Sequence, residues 1–372
     1  MLNNNRIFGL DVLRAYAILS VVYAHSYSLT NKVIPLNIFS LPSFDGVTIF
    51  FVLSGFLIGR ILLKMLIEDS INKKSIFIFW IRRWFRTIPS YLLILVTLIV
   101  INYFSGIKQS SELIKYFVFS QNIAWPHPDF FPEAWSLAVE EWFYLLIPIP
   151  IYFTIKQLKV NRHKATLFWV AAIILCVTAF RFYRAYYEGY STIADWDSSL
   201  RKQVVTRLDS LMFGVLGAYL SLYAKRVWEK YANVSFVAGA SFFVLAKLYL
   251  FSTQSMFYIN YFALSLNAVF TLMLLPKLSI FRRHDDWIAR CVTNVSLIAY
   301  SIYLLHLSII QGLVLPTLMA MLVKFNAHIN QYFVIVQYFL YWLITLLLSA
   351  LLYYYFERPI TAVRDKYSDD NR

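Results

Sequence analysis

Ten stretches of roughly 20 mainly apolar residues follow one another along this 372-residue chain, each about long enough to cross a bilayer as a helix. They cover residues 7–29, 44–67, 87–105, 134–155, 165–183, 204–223, 232–251, 256–276, 291–315 and 332–356. Backbone inside hydrocarbon must satisfy its own hydrogen bonds, so runs of this length fold as spanning helices. Composition agrees: 60% of residues are hydrophobic and 15% charged, against roughly 45–50% and about 25% in soluble domains. The expected class is all-α and polytopic, with residues 1–360 as one transmembrane domain and 361–372 as a cytoplasmic tail.

Charge sets the direction. With the N-terminus inside, the cytoplasmic segments hold 22 Lys and Arg and the outer segments 8, an alternation that favours both termini inside. The net charge of +14 then reflects basic loops rather than a nucleic-acid surface. Four of the outer cations cluster around 184–203 with Glu188, Asp195 and Asp197, which suggests a folded outer patch. The first apolar run is too long and too charged for a cleaved signal peptide and is read as an anchor. Residues 113–125 are apolar but too short to span and read as an interfacial or re-entrant helix. Cys176 and Cys291 have neither metal nor redox spacing and read as core thiols. No metal site is indicated.

The first run carries Asp11, Arg14 and His25. Such residues are costly in hydrocarbon, about 2.5–3.5 kcal/mol for Arg or Asp at a helix centre, and they face protein or water. Eleven steps of about 100° bring Arg14 and His25 within roughly 20° of one face, about 16 Å apart along the axis, with Asp11 on the same side. Asp11 and Arg14 are spaced to neutralise each other.

Further polar residues interrupt the apolar pattern. "FDGVTIFFVLSGFLIG" brings Asp45 to an outer mouth and small Ser54 and Gly55 to a packing surface. "RRWFRTIP" sets Arg82, Arg83 and Arg86 beside the third span, a set of forks suited to phosphate, with Pro89 in the helix's first turn. "WSLAVEEWFYL" supplies Trp135, Ser136 and the adjacent Glu140 and Glu141. At most one of those carboxylates shares a face with the site, where it would support His25 in its charged form. "TRLDSLMFG" brings Arg207 and Asp209 to the sixth span, "SIYLLHLS" adds His306 in the ninth, and "YYYFERP" ends the tenth.

Taken in order, Arg14-x10-His25, "FFVLSGFLI", "RRWFRTIP", "WSLAVEEWFYLL", "SIYLLH" and the terminal "ERP" resemble the acyltransferase family 3 membrane proteins, over about residues 6–360. The pattern resembles the stand-alone form, without an appended extracytoplasmic hydrolase-like domain. It departs from the family at Thr48, commonly Asp, and at Trp142, often Gln. The resemblance implies acyl transfer, acetyl by family habit, from cytoplasmic acyl-CoA to a hydroxyl of a surface glycan such as O-antigen, capsule or exopolysaccharide. It implies a multi-pass protein of the bacterial inner membrane, with acyl-CoA as co-substrate, no permanently bound cofactor and no nucleic-acid partner.

On this reading His25 is the catalytic base, aided by Glu140 or Glu141. Arg14, Arg82, Arg83 and Arg86 hold the donor. Asp11, Asp45, Ser54, Trp135, Ser136 and His306 support the site or contact substrate. The rival reading is a secondary transporter, since buried charge also marks transport paths.

Overall fold

The computed structural model describes residues 6–31, 44–107, 112–282, 286–325 and 333–369. Helices dominate, as apolar runs in lipid require. They are α1 (Phe8–His25), α2 (Gly46–Ile67), α3 (Lys73–Phe104), α4 (Ala134–Leu146, continued by Pro148–Lys156) and α5 (Arg162–Glu188). There follow α6 (Leu208–Tyr223), α7 (Ala232–Thr253), α8 (Ala263–Ile280), α9 (Trp287–Leu305) and α10 (Phe333–Leu352). Among the described residues nine helical segments are long and apolar enough to cross a membrane, and α6 is the shorter tenth apolar helix. The chain is an all-α, multi-pass membrane protein.

α2 is the most buried span, and α7 and α10 are the least. Leu175, Val234 and Phe339 stand on the outer ring, exposed, as suits a lipid-facing surface. Cys176 and Cys291 are exposed too, which corrects their reading as core thiols; a thiol is apolar enough for a lipid-facing position. α6 can be short because its polar and small residues are covered by protein. Gly55 of α2 and Gly214 of α6 face each other so closely that a methyl group on either would strike the other helix's backbone. Small residues allow this approach between membrane helices.

Three span limits need correction. α3 starts at Lys73, not 87, because Asn72 and Ser75 form a reciprocal capping box. Pro89 therefore lies inside a 32-residue helix, a position tolerated in membrane helices, and Arg82, Arg83 and Arg86 ride on the span itself. The eighth span shifts towards the C-terminus, because Phe262 breaks a short helix at Met256–Tyr261 from α8. The path of α9 does not stop at 315: it widens into a π-helical stretch, His306–Val314, and runs on as Leu315–Phe325. Nor does the tenth span end at "ERP". A π turn at Tyr353–Glu357 carries the helix on into Arg358–Asp369, with Pro359 just past that turn, the kind of local adjustment by which membrane helices accommodate a proline.

The outer loops are ordered by one another. Residues 113–125 form a helix only at Leu113–Phe117; the remainder pairs with the chain before α6. Val204 and Val205 donate backbone N–H groups to Asn122 and Ile123 carbonyls (3.0 and 3.1 Å). The buried Asn122 side chain donates to the carbonyls of Trp135 and Lys202 (3.0 and 2.6 Å). Residues 189–203 fold over the bundle through the short helix Ile193–Trp196, capped by Thr192, and a π turn at Asp197–Arg201. Arg181 is not part of that patch. It lies in α5, fully buried, and its two terminal nitrogens grip Asp209 of α6 at 2.8 and 2.7 Å.

Candidate active site

α1 packs against α9, α2 and α8, which turns its polar stripe towards protein. Asp11 is a joint. It accepts from Arg6 (Nη2, 2.5 Å; Nε, 3.1 Å), from Arg14 Nη1 (3.2 Å) and from Ser296 of α9 (2.8 Å). Its carboxylate is consumed in fastening α1 to α9.

Arg14 reaches past this joint into a cavity of about 120 Å³ shared with Arg83 and Arg86 of α3 and Glu140 of α4. Arg82 is not on the lining. Helical geometry explains the split: Arg86 lies about 40° from Arg82 and about 60° from Arg83, between the two, so a cavity on the Arg83 side leaves Arg82 on the far flank. Ser54 and Ser136 line the same space. Ser54 hydrogen-bonds Tyr144, whose hydroxyl also donates to Glu140 (2.6 Å). Glu141 points elsewhere, accepting from Thr87 of α3 (2.6 Å).

His25 lies on a second cavity, of about 460 Å³. Neither glutamate of α4 partners it: its Nδ1 is 2.8 Å from Nε2 of His306. This corrects the expected Glu–His pairing. Glu140 and Glu141 begin about two turns into α4 and meet α2 and α3, whereas the glutamate sharing the His25 cavity is Glu133, just before α4.

The tautomers follow from the partners. His306 Nδ1 lies 2.8 Å from the Tyr303 carbonyl and 3.2 Å from that of Ile302. Carbonyls only accept, so Nδ1 carries the hydrogen and Nε2 offers a lone pair. His25 then donates from Nδ1, and its own Nε2 is left as a lone pair. His306 is the first residue of the π-helical stretch, a distortion frequent at functional sites. Glu133 pins that stretch, accepting from the Ser308 backbone N–H (2.7 Å) and hydroxyl (2.5 Å). Burial pushes the Glu133 carboxyl up to about 7, against the pull of the Ser308 hydrogen bonds.

The second cavity is otherwise walled by helix ends and the outer patch. Asp45 caps α2, accepting from Thr48 N–H (3.2 Å) and Oγ1 (2.5 Å). Behind it, buried Arg207 donates to Thr48 Oγ1 (2.5 Å). Asp197 holds Arg201 and Lys202, each at 2.5 Å. Burial works to raise its carboxyl, but the two cations prevail and hold it at about 2. Arg201 in turn covers the ring of Trp135 at 5.0 Å. The two cavities share Val47 and Tyr303 in their linings. The Tyr303 hydroxyl donates to the Glu133 carbonyl (3.1 Å) and meets Ser136 Oγ (2.6 Å). Three guanidinium groups and an imidazole therefore line two cavities that adjoin at Tyr303.

The family described as "Acyltransferase domain" matches residues 7–359. The chain belongs to that family. An O-acetyltransferase-named protein of Staphylococcus aureus strain COL is 28% identical over 327 residues, 81% of this chain and 50% of that protein. O-acetyltransferase OatA of the same strain is 30% identical over 187 residues, 45% of this chain and 28% of OatA. This acyltransferase-family chain spans about half the length of the first of these relatives. No solved structure matches it.

Sequence reasoning missed Glu133, Lys247 and Tyr303 as cavity residues of this family member, and placed Asp197, Arg201 and Lys202 in an outer patch without assigning them to the site. Tyr303 lies inside "SIYLLH" and gave no charge signal. Lys247 did: it is a single cation within an apolar run, the criterion already applied to Arg14.

Proposed function

We propose that this chain is a membrane O-acyltransferase that moves an acyl group, acetyl in the simplest case, from cytoplasmic acyl-CoA to a hydroxyl of a cell-surface glycan. Arg14, Arg83 and Arg86 bind the phosphates of the donor at the inner cavity. The extended pantetheine arm brings the thioester to the wall formed by Val47 and Tyr303. The acceptor enters the outer cavity. His25 Nε2 takes the proton of its hydroxyl as the oxygen attacks the thioester carbonyl. The tetrahedral adduct then breaks its C–S bond, and the imidazolium returns the proton to the departing thiolate, leaving ester and free thiol. His306 holds His25 in the tautomer that this step needs. The protein works in a bacterial plasma membrane with both termini inside.

One observation carries this reading: an arginine-lined cavity and an imidazole-bearing cavity meet at one wall. The names of the S. aureus relatives support acetyl as the group. Purified protein in lipid nanodiscs, given radiolabelled acetyl-CoA and polysaccharide from the native cell, should transfer label to the polysaccharide. Mass spectrometry of surface glycans with and without the gene should show the missing acetyl ester. Absence of label transfer together with unchanged glycan masses would overturn the proposal.

A further inference from the structure

Lys247 lies on α7, the least protein-covered span, yet it turns to the outer cavity. It has no hydrogen-bond or ion-pair partner among the described residues. An ammonium within a span is disfavoured by about 2.5–3.5 kcal/mol at the centre, and such residues mark ligand paths by default. The mechanism above makes no use of it.

Asp45 is the opposing charge that acts on it, through space and without an ion pair among the described residues. Asp197 is already shared by Arg201 and Lys202. Asp45 is occupied by Thr48, with Arg207 bonded to the same threonine. Glu133 is engaged by Ser308, and its buried carboxyl, at about 7, carries only part of a charge near neutrality. On the lining, three cations (Arg201, Lys202 and Lys247) thus face Asp45, Asp197 and the partly charged Glu133, and of the three only Lys247 has no ion-pair partner among the described residues. Trp196 and Tyr258 add aromatic surface to the same wall.

Resting on the acyl-transfer reading, we propose that the outer cavity selects an acceptor sugar carrying an anion, a carboxylate or a phosphate, held by Lys247 together with Arg201 and Lys202. The anion anchors the ring so that a neighbouring hydroxyl is presented to His25.

The test uses the full chain purified in detergent and intrinsic tryptophan fluorescence, since Trp135 and Trp196 line the cavity. The probes are methyl glucuronide, glucose 6-phosphate and neutral methyl glucoside; comparison of the first two separates carboxylate from phosphate recognition. At least one anionic probe should bind about tenfold or more tightly than the glucoside. Lys247→Met should reduce its affinity to the level of the glucoside, and Lys247→Arg should restore most of it. Thermal unfolding and acetyl-CoA affinity should be the same in Lys247→Met as in the parent. Equal binding of charged and neutral probes, no binding of any probe, or a parallel loss of acetyl-CoA affinity would overturn the proposal. Anion preference without acyl transfer would overturn the enzymatic reading and leave the site. Transfer to neutral acceptors that is indifferent to Lys247→Met would do the reverse.

Discussion

The two cavities are built from different material. The inner one is lined from the middles of helices: Arg14 on α1, Ser54 on α2, Arg83 and Arg86 on α3, Glu140 on α4 and Tyr300 on α9. Its polar groups are held by regular backbone. The outer one is lined largely from helix ends and loops: His25 closes α1, Asp45 precedes α2, Glu133 precedes α4, and Asp197, Arg201 and Lys202 come from the folded patch. Regular helices fix a guanidinium cluster with few contacts. Irregular backbone needs stitching, here by Asn122 and by the grip of Glu133 on Ser308. The pairing suits the proposed roles, a donor held on regular helices and an acceptor admitted between loops.

Removing the base should separate the cavities most sharply. His25→Ala should lower transfer by about 10²–10⁴-fold, the usual worth of a positioned base, with acetyl-CoA affinity retained. Measuring donor binding and label transfer on the same preparation checks this. Transfer at the parental rate would remove His25 from the chemistry.

The candidate base was legible in the sequence: the family resemblance points to His25, and the period of a helix places it on one face with Arg14 wherever the helix packs. The choice between Glu140 and Glu141 was not. Adjacent residues differ by about 100°, and the rotation of α4 is set by its neighbours, among them Thr87, which takes Glu141. The start of α3 was misread although its cap was visible in "INKKS": Pro89 looked like a first turn, and Asn72 and Ser75 outranked it. The outer cavity was illegible for a different reason. Its walls depend on Asn122 bonding the Lys202 carbonyl, 80 residues away, and no local pattern announces such a contact.

The inner cavity is broken by its arginines. Arg83→Ala or Arg86→Ala should raise the KM for acetyl-CoA about 10–100-fold, as expected for losing a hydrogen bond to a charged group worth about 1.5–3 kcal/mol. Arg82→Ala should change it little, because Arg82 stands off the lining. Initial rates across a donor concentration series would show the contrast. Equal effects at all three positions would mean that the helix face is assigned wrongly.

His306 tests how far the outer site depends on support. His306 Nε2 accepts the hydrogen of His25 Nδ1, so His306→Leu should lower kcat about 10–100-fold, of the order seen on losing the outer-shell partner of a ligating histidine, without altering the KM for acetyl-CoA. His306→Gln, whose amide oxygen still accepts, should recover part of that loss. A shift of the acidic limb in the pH–rate profile of His306→Leu would separate a positioning role from simple packing. Unchanged kcat in His306→Leu would show that the tautomer of His25 is set by something else.

The smallest effect concerns stability, and it also tells the two cavities apart. Burial raises the Glu133 carboxyl from its ordinary 4.5 to about 7. A carboxyl whose folded value is raised favours the fold fully below about 4.5, and that contribution is lost as pH climbs through about 7. The loss is at most on the order of 3 kcal/mol. Thermal unfolding of the parent should therefore fall by a few degrees between about pH 5 and pH 8. Glu133→Gln, which cannot ionise yet still bonds Ser308, should flatten that slope. Because the glutamate pins the stretch that begins at His306, the loosened state should lose affinity for acceptor probes in the outer cavity and keep its affinity for acetyl-CoA in the inner one. A matching decline at both cavities would show that they share one mechanical unit, and the distinction between rigid inner helices and stitched outer loops would fail.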